Sequence, residues 1–328
     1  MPPRVEVLAL GGTIASLPDG GGPGVVPSLD ASDLLAAVPA VASLAEVGAR
    51  NLANLPSTEI DLALVLTLAA ALRVHEDEGV QGVVVTQGTD TIEETAYALH
   101  LLHAGDMTVV VTGAMRNPAL PGSDGPANLY AAVACAADPA FRGQGVLVVL
   151  DDVVHPAAWV QKRDTSATGA FWSPAPVGWL AEGRPVLRAP LRRSPTVDVL
   201  PGTEVPFVPI LKPALGDPPH LVAAALEAGA AGLVADLAGG GHVAVAWAEA
   251  LGRAAKRMPV IFASRTRGGR VLSRTYGRPG SEIDLLRRGL WGAGDLDALK
   301  ARLTLLLLLM AGRADRFTEF TDLSWRPF

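Results

Sequence analysis

Short runs of Val, Ile and Leu alternate along this chain with longer stretches in which apolar residues return every three or four positions. The runs 5–10, 83–86, 107–112 and 146–151 are apolar and largely β-branched. That is the pattern of strands buried on both faces of a parallel sheet. Between them, Asp30–Val38, Asp61–Val74, Thr91–Ala104 and Asn128–Ala137 have the length and spacing of helices that cover such a sheet. Alternation of this kind predicts stacked βαβ units. Thr91, with Glu94 three residues on, has the spacing of a capping box, and Asp90 favours the positive end of the same helix.

The texture changes between Arg184 and Pro206, where Pro185, Pro190, Pro195, Pro201 and Pro206 crowd together. Proline fixes φ and lacks an N–H, so the segment reads as a connection out of the first domain. A smaller βα set follows. It comprises a strand over Val205–Leu211, a helix from His220, a strand over Gly232–Ala235, a helix over 243–256, a strand over Val260–Ala263 and a last helix near 295–311. The expected division is a first domain over 1–189, a linker over 190–206 and a second domain over 207–328. No repeat of fixed period is present, and the glycine-rich stretch Asp19–Gly24 reads as the one mobile segment.

Composition narrows the classes. With 328 residues and 49% hydrophobic content the chain can fill two cores. A net charge of −6 without a basic stripe argues against a nucleic-acid surface. Lysine occurs only at positions 162, 212, 256 and 300. Cys135 is alone, so no internal disulfide forms, and no Cys/His cluster suggests a metal; a buried, inert thiol is expected, with no cofactor. The apolar run Leu303–Ala311 falls well short of the roughly 20 residues a membrane span needs. The first apolar run begins almost at once after Met1, which leaves no room for a signal peptide and predicts a soluble, cytoplasmic protein.

Two glycine-bracketed threonines carry the chemistry: Leu10-Gly11-Gly12-Thr13 and Gln87-Gly88-Thr89-Asp90. Each follows an apolar run, which puts its hydroxyl at the carboxyl edge of an open α/β sheet, where ligands bind. Glycine lets a substrate approach the backbone and frees N–H groups for an oxyanion. Hydroxyl, carboxylate and bare amides together suit acyl transfer. Each feature also has a plainer account: Thr13 as a turn cap, Gly-Thr-Asp as an N-cap, Lys162 as a solvated surface residue. A dinucleotide loop fits poorly, because the spaced third glycine is missing. A third glycine-marked strand end, Thr112-Gly113-Ala114-Met115-Arg116, leads into Ser123-Asp124-Gly125-Pro126-Ala127-Asn128.

Taken together, these segments resemble the L-asparaginase/glutaminase family of amidohydrolases. The likeness is strongest over Leu8–Thr13, Val83–Ala98, Val111–Tyr130 and Val146–Thr165. It implies an α/β protein with a larger flavodoxin-like N-terminal domain and a smaller C-terminal α/β domain. It also implies a homodimer or homotetramer whose active sites are shared between subunits, and a small amino-acid substrate. Thr13 matches the family's primary nucleophile, and Thr89, Asp90 and Lys162 match its second catalytic set. Ser57, with Thr58 beside it, falls where the substrate's α-carboxylate is bound, and Asp90 also meets the α-ammonium. The carbonyl of Ala114 falls where the substrate's side-chain amide is held, Gly88 falls among the substrate-binding positions, and Glu282 matches the acidic residue lent by a neighbouring subunit.

Two departures stand out. The family's tyrosine on the loop after the nucleophile is absent from Leu17–Pro27, and His242 stands about where many relatives carry an asparagine. Tyr276 of a neighbouring subunit, oriented by Glu282, is the candidate to replace the loop phenol. The function implied is L-asparaginase. Glutaminase-asparaginase or an ammonia-supplying amidase subunit remains the alternative within the class. A weakly catalytic amino-acid sensor, favoured by the missing tyrosine, is the alternative outside it.

Overall fold

The structure is a computed structural model that describes residues 2–18, 24–191 and 194–323. The stretch Asp19–Gly24, expected to be mobile, lies outside the described residues except for Gly24. The chain divides into two compact units, with Met1–Thr196 in the first and Val197–Arg326 in the second.

Unit 1 contains strands β1 (Arg4–Ala9), β2 (Ser16–Pro18), β3 (Val25–Pro27), β4 (Glu46–Asn51), β5 (Gly82–Thr86), β6 (Thr108–Thr112), β7 (Val146–Leu150), β8 (Val153–Pro156), β9 (Gln161–Lys162), β10 (Phe171–Trp172), β11 (Gly178–Ala181) and β12 (Arg184–Leu187). Its helices are α1 (Ala31–Ala36), α2 (Leu62–Asp77), α3 (Ile92–Leu102) and α4 (Gly125–Ala137). Eight strands form one sheet in the order β12-β11-β8-β7-β6-β5-β1-β4. It is parallel from β4 to β7 and antiparallel from β7 to β12. Val5, Val7, Val84, Val110, Leu147 and Val149 form one core with Leu129, Val133 and Cys135 of α4. Burial, reinforced by Asp138, pushes the Cys135 thiol up to about 12, which leaves it inert.

The chain leaves β1, adds β4 on one side, and returns to add β5 on the other. The carboxyl ends of β1 and β5 therefore flank the point where the winding reverses, the place at which open α/β sheets bind ligands. Thr13 follows the first of these ends and Thr89 the second.

The Arg184–Pro206 segment is not a bare connection. Its first residues form β12, the outermost strand, where Pro185 lies opposite Leu180. Proline is tolerated there because an edge strand has one side free of ladder hydrogen bonds.

Unit 2 contains β13 (Ile210–Leu211), β14 (Leu233–Leu237), β15 (Val260–Ser264) and β16 (Trp291–Gly292) in one parallel sheet of that order. Its helices are α5 (His220–Glu227), α6 (Val245–Ala255), α7 (Glu282–Arg287) and α8 (Ala298–Met310). Leu233, Ala235, Trp247, Leu251, Val260, Phe262 and Leu285 fill its core. The strand expected over Val205–Leu211 shrinks to its last two residues, with Pro206 and Pro209 ahead of it. No helix among the described residues is long and apolar enough to cross a membrane.

Candidate active site

The turn after β1 works only with glycine. Gly12 has φ 88°, and a Cβ there would fall 2.0 Å from the Gly88 backbone nitrogen. That absent side chain lets the Thr13 turn lie directly on the Gln87–Gly88 backbone after β5. Thr13 opens a short helical turn, Thr13–Ala15, whose Ile14 and Ala15 are buried. The Ser16 hydroxyl ties the turn shut by donating to the Gly12 carbonyl at 2.8 Å. Thr13 itself is half-buried. Within unit 1 no described residue hydrogen-bonds to its hydroxyl.

Gly88 brings in the next group. Its missing Cβ would sit 3.0 Å from the Cβ and Oγ of Ser57, so the Ser57–Glu59 turn packs against the same backbone. Ser57 is buried there and Thr58 is exposed beside it. The Thr91 hydroxyl donates to the Ser57 carbonyl at 2.9 Å and accepts from Gln87 Nε2 at 3.2 Å. The expected capping box therefore does not form: Thr91 caps α3 by position, without a side-chain bond to it. Its hydroxyl donates to the Ser57 carbonyl and accepts from the Gln87 amide instead of accepting from an N–H of α3.

Lys162 completes the group. Its ammonium donates to Thr89 Oγ1 at 2.8 Å and to Asp90 Oδ1 at 2.6 Å. Thr89 is buried, whereas the Asp90 side chain is 65% exposed and leaves a second oxygen open to a ligand. An ammonium that donates to a hydroxyl oxygen polarises it and leaves the hydroxyl proton to point elsewhere.

The third strand end is pinned by side chains to which the sequence alone assigns no role. Asn128 Nδ2 donates to the Gly113 carbonyl at 2.9 Å. The Asp124 carboxylate accepts the Met115 and Arg116 N–H groups at 3.0 and 2.8 Å. These bonds hold fully buried Ala114 next to Gly113, whose missing Cβ would lie 3.2 Å from the Thr89 methyl. An Asp and an Asn ahead of and inside a helix start were the available signal. Their acceptors and donors were not, because they lie on other elements.

In unit 2, Glu282 opens α7 with its carboxylate wholly buried. Oε1 accepts the N–H groups of Thr275 and Tyr276 at 2.8 and 2.6 Å, and Oε2 lies 3.0 Å from His242 Nε2. Burial pushes this carboxyl up, but the Tyr276, Glu282 and Thr275 N–H groups and His242 outweigh it and hold it below the usual glutamate range. With both oxygens hydrogen-bonded and none of the residue exposed, Glu282 fixes the backbone that carries Tyr276. The Tyr276 ring stands edge-on to His242 at 5.0 Å and is 47% exposed.

Two family descriptions match the chain: "Asparaginase, N-terminal" over residues 4–191 and "Glutaminase/Asparaginase C-terminal domain" over residues 207–318. The chain belongs to the asparaginase family. The chain is 35% identical over 321 residues to L-asparaginase 2 of Bacillus subtilis strain 168, covering 94% of this chain and 82% of that one. It is 31% identical to a glutamyl-tRNA(Gln) amidotransferase polypeptide of Methanosarcina mazei, covering 97% of this chain and 76% of that one. Among solved structures it resembles one described as a probable cytoplasmic L-asparaginase from Campylobacter jejuni. The TM-score is 0.87 at 31% identity, with 97% of this chain and 99% of that one covered.

One further buried polar pair lies in unit 1. His155 and Ser173, both buried, lie 2.8 Å apart through Nδ1 and Oγ. Burial lowers the imidazole to about 4. Among the described residues no group of three or more His, Cys, Asp or Glu side chains could hold a metal ion.

Proposed function

We propose that this chain is an L-asparaginase that hydrolyses the side-chain amide of L-asparagine through a threonine nucleophile. The observation that carries this reading is the Lys162 ammonium, 2.8 Å from Thr89 Oγ1 and 2.6 Å from Asp90 Oδ1, at the strand end beside the Thr13 turn. Thr13 Oγ adds to the amide carbon while N–H groups near Thr13 and Thr89 meet the developing oxyanion. The C–N bond then breaks, and the nitrogen leaves as ammonia with the hydroxyl proton of Thr13. Water placed by Thr89, with Lys162 and Asp90 behind it, adds to the ester. The bond to Thr13 breaks, aspartate departs, and Thr13 regains a proton. Addition of water in one step would use the same groups.

Ser57 receives the α-carboxylate, the open oxygen of Asp90 the α-ammonium, and the Ala114 carbonyl the side-chain amide, with Gly88 and Thr58 lining the cleft. The Thr13 hydroxyl has no partner among the described residues of unit 1, which favours one supplied from elsewhere. Tyr276 of a second copy is the candidate, in a homodimer or homotetramer. Charge supports such pairing: residues 1–196 carry twenty acidic and eleven basic residues, and residues 197–328 carry thirteen and sixteen.

Ammonia release from L-asparagine, L-glutamine and their D-forms tests the reading. We expect kcat/KM for L-asparagine to exceed that for L-glutamine by at least about tenfold, since a site built for buried polar contacts rejects substrates that leave them unpaired. Comparable values would replace the assignment by glutaminase-asparaginase. The likeness to an amidotransferase polypeptide favours a second reading, an amidase that feeds ammonia to a partner. It predicts slow hydrolysis that rises when the partner is added. Binding of asparagine without turnover would indicate a sensor.

A further inference from the structure

Lys162 stands on a ribbon whose two strands are each two residues long. β9 pairs antiparallel with β10, with Lys162 opposite Phe171 and Gln161 opposite Trp172. Paired residues project to one side and successive residues to opposite sides. Lys162 and Phe171 therefore share one face, and Gln161, Trp172 and Arg163 share the other. On that second face the Arg163 guanidinium lies over the Trp172 ring, 3.3 Å from its centroid. Its Nε and Nη2 both donate to Gln161 Oε1, at 3.3 and 3.1 Å, and its backbone N–H donates to the Ala170 carbonyl at 2.7 Å. Asp164 closes the loop between the strands by accepting the N–H groups of Ser166 and Ala167, each at 2.8 Å.

So short a ribbon does not hold its own register, yet the ammonium at its front must meet two acceptors at the end of another strand. The guanidinium suits the task. Its plane covers an aromatic face while its edge donates twice to one oxygen, which a lysine ammonium cannot reproduce. We propose that Arg163 is a positioning residue for Lys162, acting with Trp172 and Gln161 as a clamp on the back of the ribbon. The proposal rests on the reading of Lys162 as the group that polarises Thr89. Trp172 is 39% exposed, so the clamp adds little to the stability of the core and its loss is separable from unfolding.

The test uses the full chain in its native assembly. Arg163→Met and Trp172→Ala should each lower kcat for asparagine about tenfold, with KM within about twofold and a nearly unchanged Tm. Trp172→Phe, which keeps a ring face, should retain most of kcat, and Arg163→Lys should rescue little. A second readout is independent of turnover. With [ε-13C]lysine incorporated, the four lysines give four carbon signals, and Lys162→Met identifies the one from position 162. Arg163→Met and Trp172→Ala should shift or broaden that signal and leave the other three unchanged. A Lys162 signal unmoved in both variants, or wild-type kcat in Arg163→Met, overturns the clamp. If the unaltered protein hydrolyses no amide, the catalytic reading of Lys162 fails, while the carbon signal still decides whether Arg163 positions it.

Discussion

Replacing Lys162 by methionine keeps most of the length of the side chain and removes its charge and its N–H donors. Two hydrogen bonds are lost, at 2.8 Å to Thr89 Oγ1 and 2.6 Å to Asp90 Oδ1. Their contributions to stability differ. The Asp90 side chain is 65% exposed, so water and salt screen its pair to about 1 kcal/mol or less. Thr89 is buried, and leaving its oxygen without a donor costs about 1–2 kcal/mol. The sum is about 1–3 kcal/mol, which for domains of this size lowers Tm by no more than about 10 °C. Catalysis should suffer far more. If the ammonium polarises Thr89 while water adds to the ester, its removal should reduce kcat by about 10²–10⁴. The assay is ammonia release at saturating asparagine, run beside a thermal melt. A variant that keeps more than about a tenth of wild-type kcat would refute the mechanism. A variant that no longer unfolds cooperatively would show that Lys162 holds the fold instead.

Tyr276→Phe keeps the ring against His242 and removes only the hydroxyl. If the hydroxyl serves Thr13 of a second copy, kcat drops at least tenfold with assembly unchanged by light scattering, and wild-type rate per subunit falls on dilution; near-normal kcat would remove Tyr276 from the reaction. Gly12→Ala places a Cβ on the Gly88 backbone at φ 88°. It should cost on the order of 2–4 kcal/mol and most of the activity, and a melt within a degree of wild type would contradict the packing described. His155 titrates at about 4 in the folded protein, below the ordinary 6.5 of the unfolded chain. The unfolded chain thus binds the proton first as pH falls. Stability is fully present above about pH 6.5 and is lost progressively down to about pH 4, by up to about 3 kcal/mol. His155→Gln should flatten the dependence of Tm on pH across that window, and an unchanged slope would show that other groups carry it.

How far the sequence reaches is clearest at the strands. β1, β5, β6 and β7 lie within about a residue of their expected ranges, because strands buried on both faces are apolar over most of their length. The two-unit α/β architecture follows from the same alternation. β8 to β12 left no such mark: they are short, mostly partly exposed, and include Pro185, which only an edge position tolerates.

Within the site the division follows distance along the chain. The sequence by itself determined the chemical groups: the glycine-bracketed threonines, the Asp beside one of them, a rare lysine, and the strand ends that present them. Periodicity and local turn chemistry are enough for that, since both depend on residues a few positions apart. Tertiary structure alone decided which of those groups meet. Lys162 reaches Thr89 across 73 residues, and the Thr91 hydroxyl forsakes its own helix for Ser57, 34 residues away. Glu282, polar and apt for a ligand by its type, spends its carboxylate on the Tyr276 backbone and His242. A side chain's role is set by the acceptors and donors that folding brings to it, and a linear pattern carries no record of those.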